Sequence, residues 1–131
     1  MKILNYTELV DQSEEIINSI NKCFQEYLSD DIVKLNSQAR EVEAWYSNVL
    51  YLLPQSEHYY RVEQQKALSE LVKQSEKKPN EYDKEVYVNA KVAEFRTLRD
   101  TLKNLADSIK QRVSLAQTIL KSATMNRSFN E

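Results

Sequence analysis

The chain has no glycine, two prolines, one histidine and one cysteine in 131 residues. A chain of this length ordinarily contains roughly nine glycines. Phosphate-binding loops, dinucleotide-binding turns and nucleophile elbows all need glycine at fixed positions, so the composition excludes these three kinds of site. With so few residues that break helices, the sequence predicts long helices and favours binding or assembly over catalysis.

The scarcity of histidine and cysteine also limits metal and nucleophile chemistry. A zinc site of the Cys/His type needs about four ligands, and the only candidates are Cys23 and His58. No Glu-x-x-His pair occurs, so the ligand pattern of di-iron helix bundles is missing. Cys23 lies at an apolar helix position, where we expect it to pack as a core residue. We therefore predict no metal site, no cofactor and no enzymatic activity.

Two further absences concern the location of the protein. A single cysteine cannot form a disulfide within the chain, which suits a reducing compartment. No apolar run approaches the roughly 18 residues of a membrane span, and the first residues become polar too early for a signal peptide. We expect one cytoplasmic domain over residues 1–131.

Charge is divided unevenly along the chain. Residues 1–60 carry four Lys/Arg and ten Asp/Glu, whereas residues 61–131 carry fourteen and ten. The formal net charge of −2 conceals this asymmetry. Two interpretations stay open: the acidic half pairs with the basic half inside the protein, or a basic surface is kept for an acidic partner.

Apolar spacing predicts an all-α fold of three to four helices, over about residues 7–28, 31–53, 56–76 and 83–124. Pro54 is expected to end the second helix, because proline lacks an N–H group and disfavours helix in the preceding residue. The second helix carries a seam with heptad spacing, formed by Ile32, Leu35, Ala39, Val42, Tyr46, Val49 and Leu53.

The last helix would be about 60 Å long, which is too long for one compact globule of this size. It carries a second heptad seam, which indicates a coiled-coil-like hairpin or bundle that assembles into a homo-oligomer. The predicted contacts between subunits are residues of this seam: Val92, Phe95, Leu102, Ile109, Val113 and Leu120.

Basic residues flank the second seam. Arg96, Lys103 and Lys110 recur every seven residues and form one stripe, while Arg112 lies on the other side of the seam. Such a stripe fits an acidic stripe on a partner helix, which the first half of the chain could supply. It also fits a phosphate backbone, whose charge lysine and arginine neutralise.

A second basic segment contains aromatic residues. Tyr59, Tyr60 and Arg61 are consecutive, and Lys66 and Lys73 follow on the same predicted helix. Aromatic rings stack on unpaired bases while cations follow the phosphates, so this composition suits single-stranded nucleic acid. The predicted nucleic-acid-binding residues are therefore Tyr59, Tyr60, Arg61, Lys66, Lys73, Arg96, Lys103, Lys110 and Arg112.

Three short segments resemble stretches of one family, the last of them at nearly the same spacing. They are Arg61-Val62-Glu63-Gln64-Gln65-Lys66, Asp83-Lys84-Glu85-Val86 and Asp107-Ser108-Ile109-Lys110-Gln111-Arg112. They resemble the Arg-Ile-Glu-x-Gln-Lys, Asp-Lys-Asp-Val and Asp-x-Ile-Lys-x-Arg stretches of the T4-type phage recombination mediators. These mediators load a RecA-like recombinase onto single-stranded DNA. The resemblance covers about residues 42–129.

The resemblance implies a helical homo-oligomer assembled through its last helix. It also implies single-stranded DNA bound on a basic surface, contacts with the recombinase and with a single-strand-binding protein, and a phage protein acting in the host cytoplasm. Two other hypotheses stay open. One is a small helical adaptor, scaffold or inhibitor with an acidic N-terminal face and no DNA binding, and the other is a structural subunit of a phage particle.

Overall fold

A computed structural model describes the backbone of residues 3–130 and the side chains of residues 3–125. Four helices follow one another: α1 (Tyr6–Gln25), α2 (Ile32–Gln74), α3 (Glu81–Lys91) and α4 (Ala93–Asn130). Residues 3–130 contain no strand. The predicted all-α class with a long last helix is confirmed.

The two longest helices form an antiparallel hairpin, and α1 lies along its middle. One buried cluster joins Leu9 of α1 to Leu52 of α2 and Leu102 of α4. A second cluster joins Ile20, Val42 and Ile109 of the same three helices. The order of these clusters shows that α1 runs antiparallel to α2 and parallel to α4.

The α4 seam is buried inside a single chain. Val92 and Leu102 are 0% exposed, so the prediction that these two residues contact another subunit is wrong. Ile109 is 1% exposed and packs in the core cluster with Ile20 and Val42. Phe95, Val113 and Leu120 are half-buried. A heptad seam specifies that a helix needs a partner but not which chain supplies it, and here α2 supplies it.

The α2 seam is occupied as the spacing predicts. Leu35, Val42 and Val49 are fully buried, and the remaining seam positions are half-buried. α1 ends at Gln25, with Glu26 as its C-terminal cap, and not at residue 28 as predicted. Tyr27, the residue after the cap, is 95% exposed.

Pro54 lies inside α2, so the prediction that it ends the helix is wrong. Proline removes the helical hydrogen bond to the carbonyl of Leu50, four residues earlier. Pro54 and Leu50 both lie on the exposed side of α2, where water can take the place of the missing donor. The next turn is reinforced from the buried side, because Gln55 Nε2 donates to the carbonyl of Tyr51 at 3.2 Å.

The predicted last helix is divided at Val92, whose φ of −105° and ψ of 9° separate α3 from α4. The Val92 N–H still donates to the carbonyl of Val88 at 3.0 Å, and the Arg96 N–H donates to the carbonyl of Val92 at 2.9 Å. The break is therefore a local change of direction rather than a loop.

A short segment before α1 is tied to α2. Leu4 is buried, its N–H donates to Gln55 Oε1 at 2.8 Å, and its carbonyl accepts from the Tyr59 hydroxyl at 2.6 Å. Both backbone groups of Leu4 are thus satisfied by α2 side chains, which lets this residue enter the core without a secondary-structure partner.

Candidate nucleic-acid interface

Among the side chains of residues 3–125, no ion pair joins the acidic half of the chain to the basic half. The pairs among the described side chains each lie within one helix: Lys66–Glu63, Lys84–Glu81 and Arg99–Asp100. Over residues 3–125, none of them connects residues 1–60 with residues 61–125. The interpretation in which internal pairing uses up the basic residues is therefore not supported.

The basic residues of α4 form one exposed row. Lys103, Lys110 and Lys121 are all exposed, and none of them has an ion-pair partner among the described side chains. Lys103 and Lys121 are eighteen residues apart, which is about five helical turns, so they share one face with Lys110 between them. We call these three lysines the α4 basic row. Lys121 does not follow the seven-residue spacing of the predicted stripe, so the sequence pattern missed it. It lies eighteen residues, or about five whole turns, after Lys103.

Arg96 does not belong to this free row. It is half-buried, and its Nη2 donates to Asn89 Oδ1 of α3 at 2.5 Å. Its guanidinium therefore links α3 to α4 across the break at Val92.

A groove lies between α2 and α4 on the side opposite α1. Glu41 marks the side of α2 that faces α1, because its Oε1 accepts a hydrogen bond from Cys23 Sγ at 3.3 Å. Glu43 is two residues further along α2 and therefore lies about 200° around the helix, on the other side. The groove has a volume of about 410 Å³ and is lined by Glu43, Tyr46, Ile109, Lys110, Val113, Ser114 and Gln117. We call it the open groove. Lys110 stands at its edge with Nζ 5.9 Å from the Tyr46 ring centroid.

The predicted basic residues of α2 lie elsewhere. Lys66 and Lys73 are exposed and line a shallow surface with Ser69, which shares no residue with the open groove. Arg61 is exposed, and its Nε donates to the carbonyl of Glu57 at 3.4 Å. The structure therefore brings together only part of the predicted binding set.

Tyr59 and Tyr60 are engaged inside the protein. The Tyr59 hydroxyl donates to Leu4, and its ring meets Tyr6 edge-on at 5.6 Å. The Tyr60 ring lies under the Arg99 guanidinium, 4.6 Å from the ring centroid. The geometry does not favour base stacking on Tyr59, and one face of Tyr60 is covered. The aromatic ring beside Lys110 is Tyr46 instead, which lies at a seam position of α2.

Arg112 caps the end of α1 rather than facing solvent. Its Nη2 donates to the carbonyls of Cys23 at 3.0 Å and Glu26 at 2.7 Å, and its guanidinium lies 5.4 Å from the Phe24 ring centroid. A cation at a helix C-terminus satisfies carbonyls that have no helical donor and complements the helix dipole. The geometry thus gives Arg112 a structural role and removes it from the predicted phosphate contacts.

Tyr6 connects the start of α1 to the start of α4. Its hydroxyl donates to Glu94 Oε1 at 3.0 Å, and its ring lies 4.7 Å from that of Phe95. Burial, together with the hydrogen bond to Glu94 and its charge, raises the pKa of Tyr6 to about 12. The folded protein therefore disfavours the tyrosinate.

The raised pKa predicts a loss of stability in alkali. Below the ordinary tyrosine pKa of 10.0 the stabilisation is fully present, and it is lost as the pH rises from there to about 12, because the unfolded chain releases the Tyr6 proton first. Tyr6→Phe should reduce the loss of unfolding free energy over this interval, measured by denaturant titration. Tyr82→Phe at an exposed position is the control. A Tyr6→Phe curve parallel to the wild type would contradict the assignment.

Cys23 packs against the core cluster, and burial raises the pKa of its thiol. Among the described side chains, no group of three or more His, Cys, Asp or Glu is placed to hold a metal ion. None of the helices, over their described residues, combines the length and apolar character needed to cross a membrane.

Comparison of the chain with protein-family models, with curated proteins and with solved structures found no match.

Proposed function

We propose that the protein is a non-enzymatic recombination mediator that binds single-stranded DNA and helps load a RecA-like recombinase. The observation that carries the DNA-binding part is the exposed α4 basic row, whose lysines have no ion-pair partner within the described chain. The resemblance of residues 61–66, 83–86 and 107–112 to the T4-type mediators supports the finer assignment. Contacts with a single-strand-binding protein and action in the cytoplasm of a phage-infected host belong to the same proposal.

The row and the open groove suggest how a single strand would bind. Lys103, Lys110 and Lys121 neutralise phosphates spaced along the strand and release their counterions, which accounts for most non-specific affinity. When Lys110 turns from the Tyr46 ring to a phosphate, the ring face that it covered becomes available for a base to stack on. Binding of this kind tolerates any sequence, as a protein that covers single strands requires.

Removing two lysines of the row should change the salt dependence of DNA binding. For Lys103→Ala/Lys110→Ala we expect the slope of log K against log salt to fall by about 1.4 units, at about 0.7 per phosphate contact on a single strand. The measurement is a fluorescence-anisotropy titration with labelled oligo-dT between about 50 and 200 mM salt.

Lys66→Ala/Lys73→Ala is the matched control, since it removes the same charge from a surface separate from the open groove. It should leave the slope nearly unchanged. Equal slopes for the two double variants and the wild type would rule out the α4 basic row as the DNA-binding surface.

A second candidate function is a protein-interaction module without DNA binding. The acidic side chains of α1 favour it: Asp11, Glu14 and Glu15 are exposed and have no ion-pair partner among the described side chains. Such a surface can dock on a basic protein. Absence of oligo-dT binding at low salt would make this function the better one.

A further inference from the structure

The open groove is an apolar surface that no element of the described chain covers. Tyr46 and Val113 are half-buried there, and Leu50, one turn from Tyr46 on the same face of α2, is 48% exposed. α1 packs against the opposite side of the same two helices. The hairpin therefore has a helix on one face and none on the other, which leaves a bundle with one side open.

The two walls of the open groove carry opposite charges at the same height. Glu43 stands on the α2 wall and Lys110 on the α4 wall, and both line the groove. They do not form an ion pair with each other, and neither has another ion-pair partner among the described side chains. A partner that fits this groove must present a positive charge to the α2 wall and a negative charge to the α4 wall.

We propose that this partner is a second copy of the chain, related by a two-fold axis that runs along the groove. Such an axis lays α2 of one copy over α4 of the other without a shift along the helices. Each Glu43 then meets Lys110 of the other copy, and the exposed Leu50 side chains become covered. An axis across the groove would instead lay α2 on α2 and α4 on α4, so that groups of like charge would face each other.

Pairing through this face would control access to the α4 basic row. Lys110 contacts either Glu43 of the second copy or a DNA phosphate, so the dimer and the DNA complex exclude each other. This regulatory part rests on the proposed function, whereas the pairing itself does not. This subunit contact overlaps the predicted one at Ile109 and Val113, which line the open groove, whereas Val92 and Leu102 are buried inside the chain.

Charge reversal tests the pairing directly. We expect the wild type to dimerise reversibly in the micromolar range when followed by sedimentation equilibrium, as small and partly polar interfaces do. E43K and K110E should each weaken association by about tenfold or more, because two contacts become repulsive in each dimer. The double variant E43K/K110E should recover most of the wild-type affinity.

A mixture of the two single variants provides the decisive comparison. E43K and K110E, each weakly associating alone, should form a heterodimer when mixed, because opposite charges then face each other in both contacts. K73E, on the separate α2 surface, is the control and should associate like the wild type. A monomeric wild type, or a mixture that associates no better than its components, would overturn the pairing.

Oligo-dT separates the two proposals. If both hold, adding the oligonucleotide should dissociate the wild-type dimer, and the titration should show weaker DNA binding at high protein concentration. A dimer that stays intact on DNA would overturn the mutual exclusion. If the charge swap rescues association but the protein does not bind oligo-dT, the dimer is established and the proposed function is wrong. If the protein binds oligo-dT but is always monomeric, the proposed function stands and the dimer is wrong.

Discussion

Truncating Leu102 to alanine should lower the free energy of unfolding by about 3 kcal/mol. Leu102 is 0% exposed and packs with Leu4, Leu9 and Leu52 in the cluster where the N-terminal segment, α1, α2 and α4 meet. Leu→Ala in such a core loses the transfer free energy of the side chain and leaves a cavity, at a total of about 2 to 5 kcal/mol. Denaturant unfolding followed by helix content measures the change.

The concentration dependence of this loss carries further information. If α4 packs within one chain, the loss is the same at every protein concentration, because dimerisation through the open groove stabilises the variant and the wild type alike. A seam between subunits would make the loss itself depend on concentration. Leu115→Ala is the matched control on the same helix, since Leu115 is 54% exposed. Its effect should stay within about 0.5 kcal/mol. Similar losses for Leu102 and Leu115, or a Leu102→Ala loss that changes with protein concentration, would refute the intrachain core.

Replacing Arg112 with methionine should cost about 1 to 3 kcal/mol of stability. Methionine keeps an unbranched apolar stem but removes the hydrogen bonds from Arg112 Nη2 to the carbonyls of Cys23 and Glu26. The Cys23 carbonyl keeps the N–H of Glu26 as a donor at 3.2 Å. Hydrogen bonds from a charged donor contribute about that much, and the cation at the end of α1 is lost as well. Thermal and denaturant unfolding would measure the loss of stability. We expect this loss to be greatest when unfolding is followed by a probe on α1.

The same variant separates a structural arginine from a DNA-binding one. While the protein remains folded, Arg112→Met should leave the salt slope of oligo-dT binding unchanged. Lys110→Met, exposed on the same helix, should do the opposite and alter the slope with little effect on unfolding. An Arg112→Met protein of wild-type stability with a reduced slope would return Arg112 to the phosphate contacts.

The helices and their seams could be predicted from sequence because each depends on local spacing. Leu35, Val42 and Val49 repeat every seven residues, and a single period decides which face is buried. Pro54 shows where local rules stop. Its effect on a helix depends on whether the freed carbonyl can reach water and on the support from Gln55, and both are properties of the folded hairpin.

The candidate site was harder to predict because charge and ring chemistry do not reveal partners. Arg112 and Cys23 are separated by 89 positions along the chain, so no local pattern indicates that this arginine caps α1. Tyr59 likewise bonds to Leu4, 55 positions away. The exposure of Lys103 and Lys110 was easier to predict, since a residue on the outer face of a helix needs no distant partner to stay exposed.

The uneven reach of α1 divides the hairpin into parts that can evolve at different rates. Both buried clusters lie where α1 crosses α2 and α4, and α3 contributes no buried residue. At the end formed by α3 and the second half of α2, the buried hydrophobic residues are Ala67 and Val92. We therefore expect this end to open locally at a lower cost than the part that α1 crosses. Substitutions there disturb few neighbours, so this end can acquire new binding specificity while the three-helix part preserves the fold.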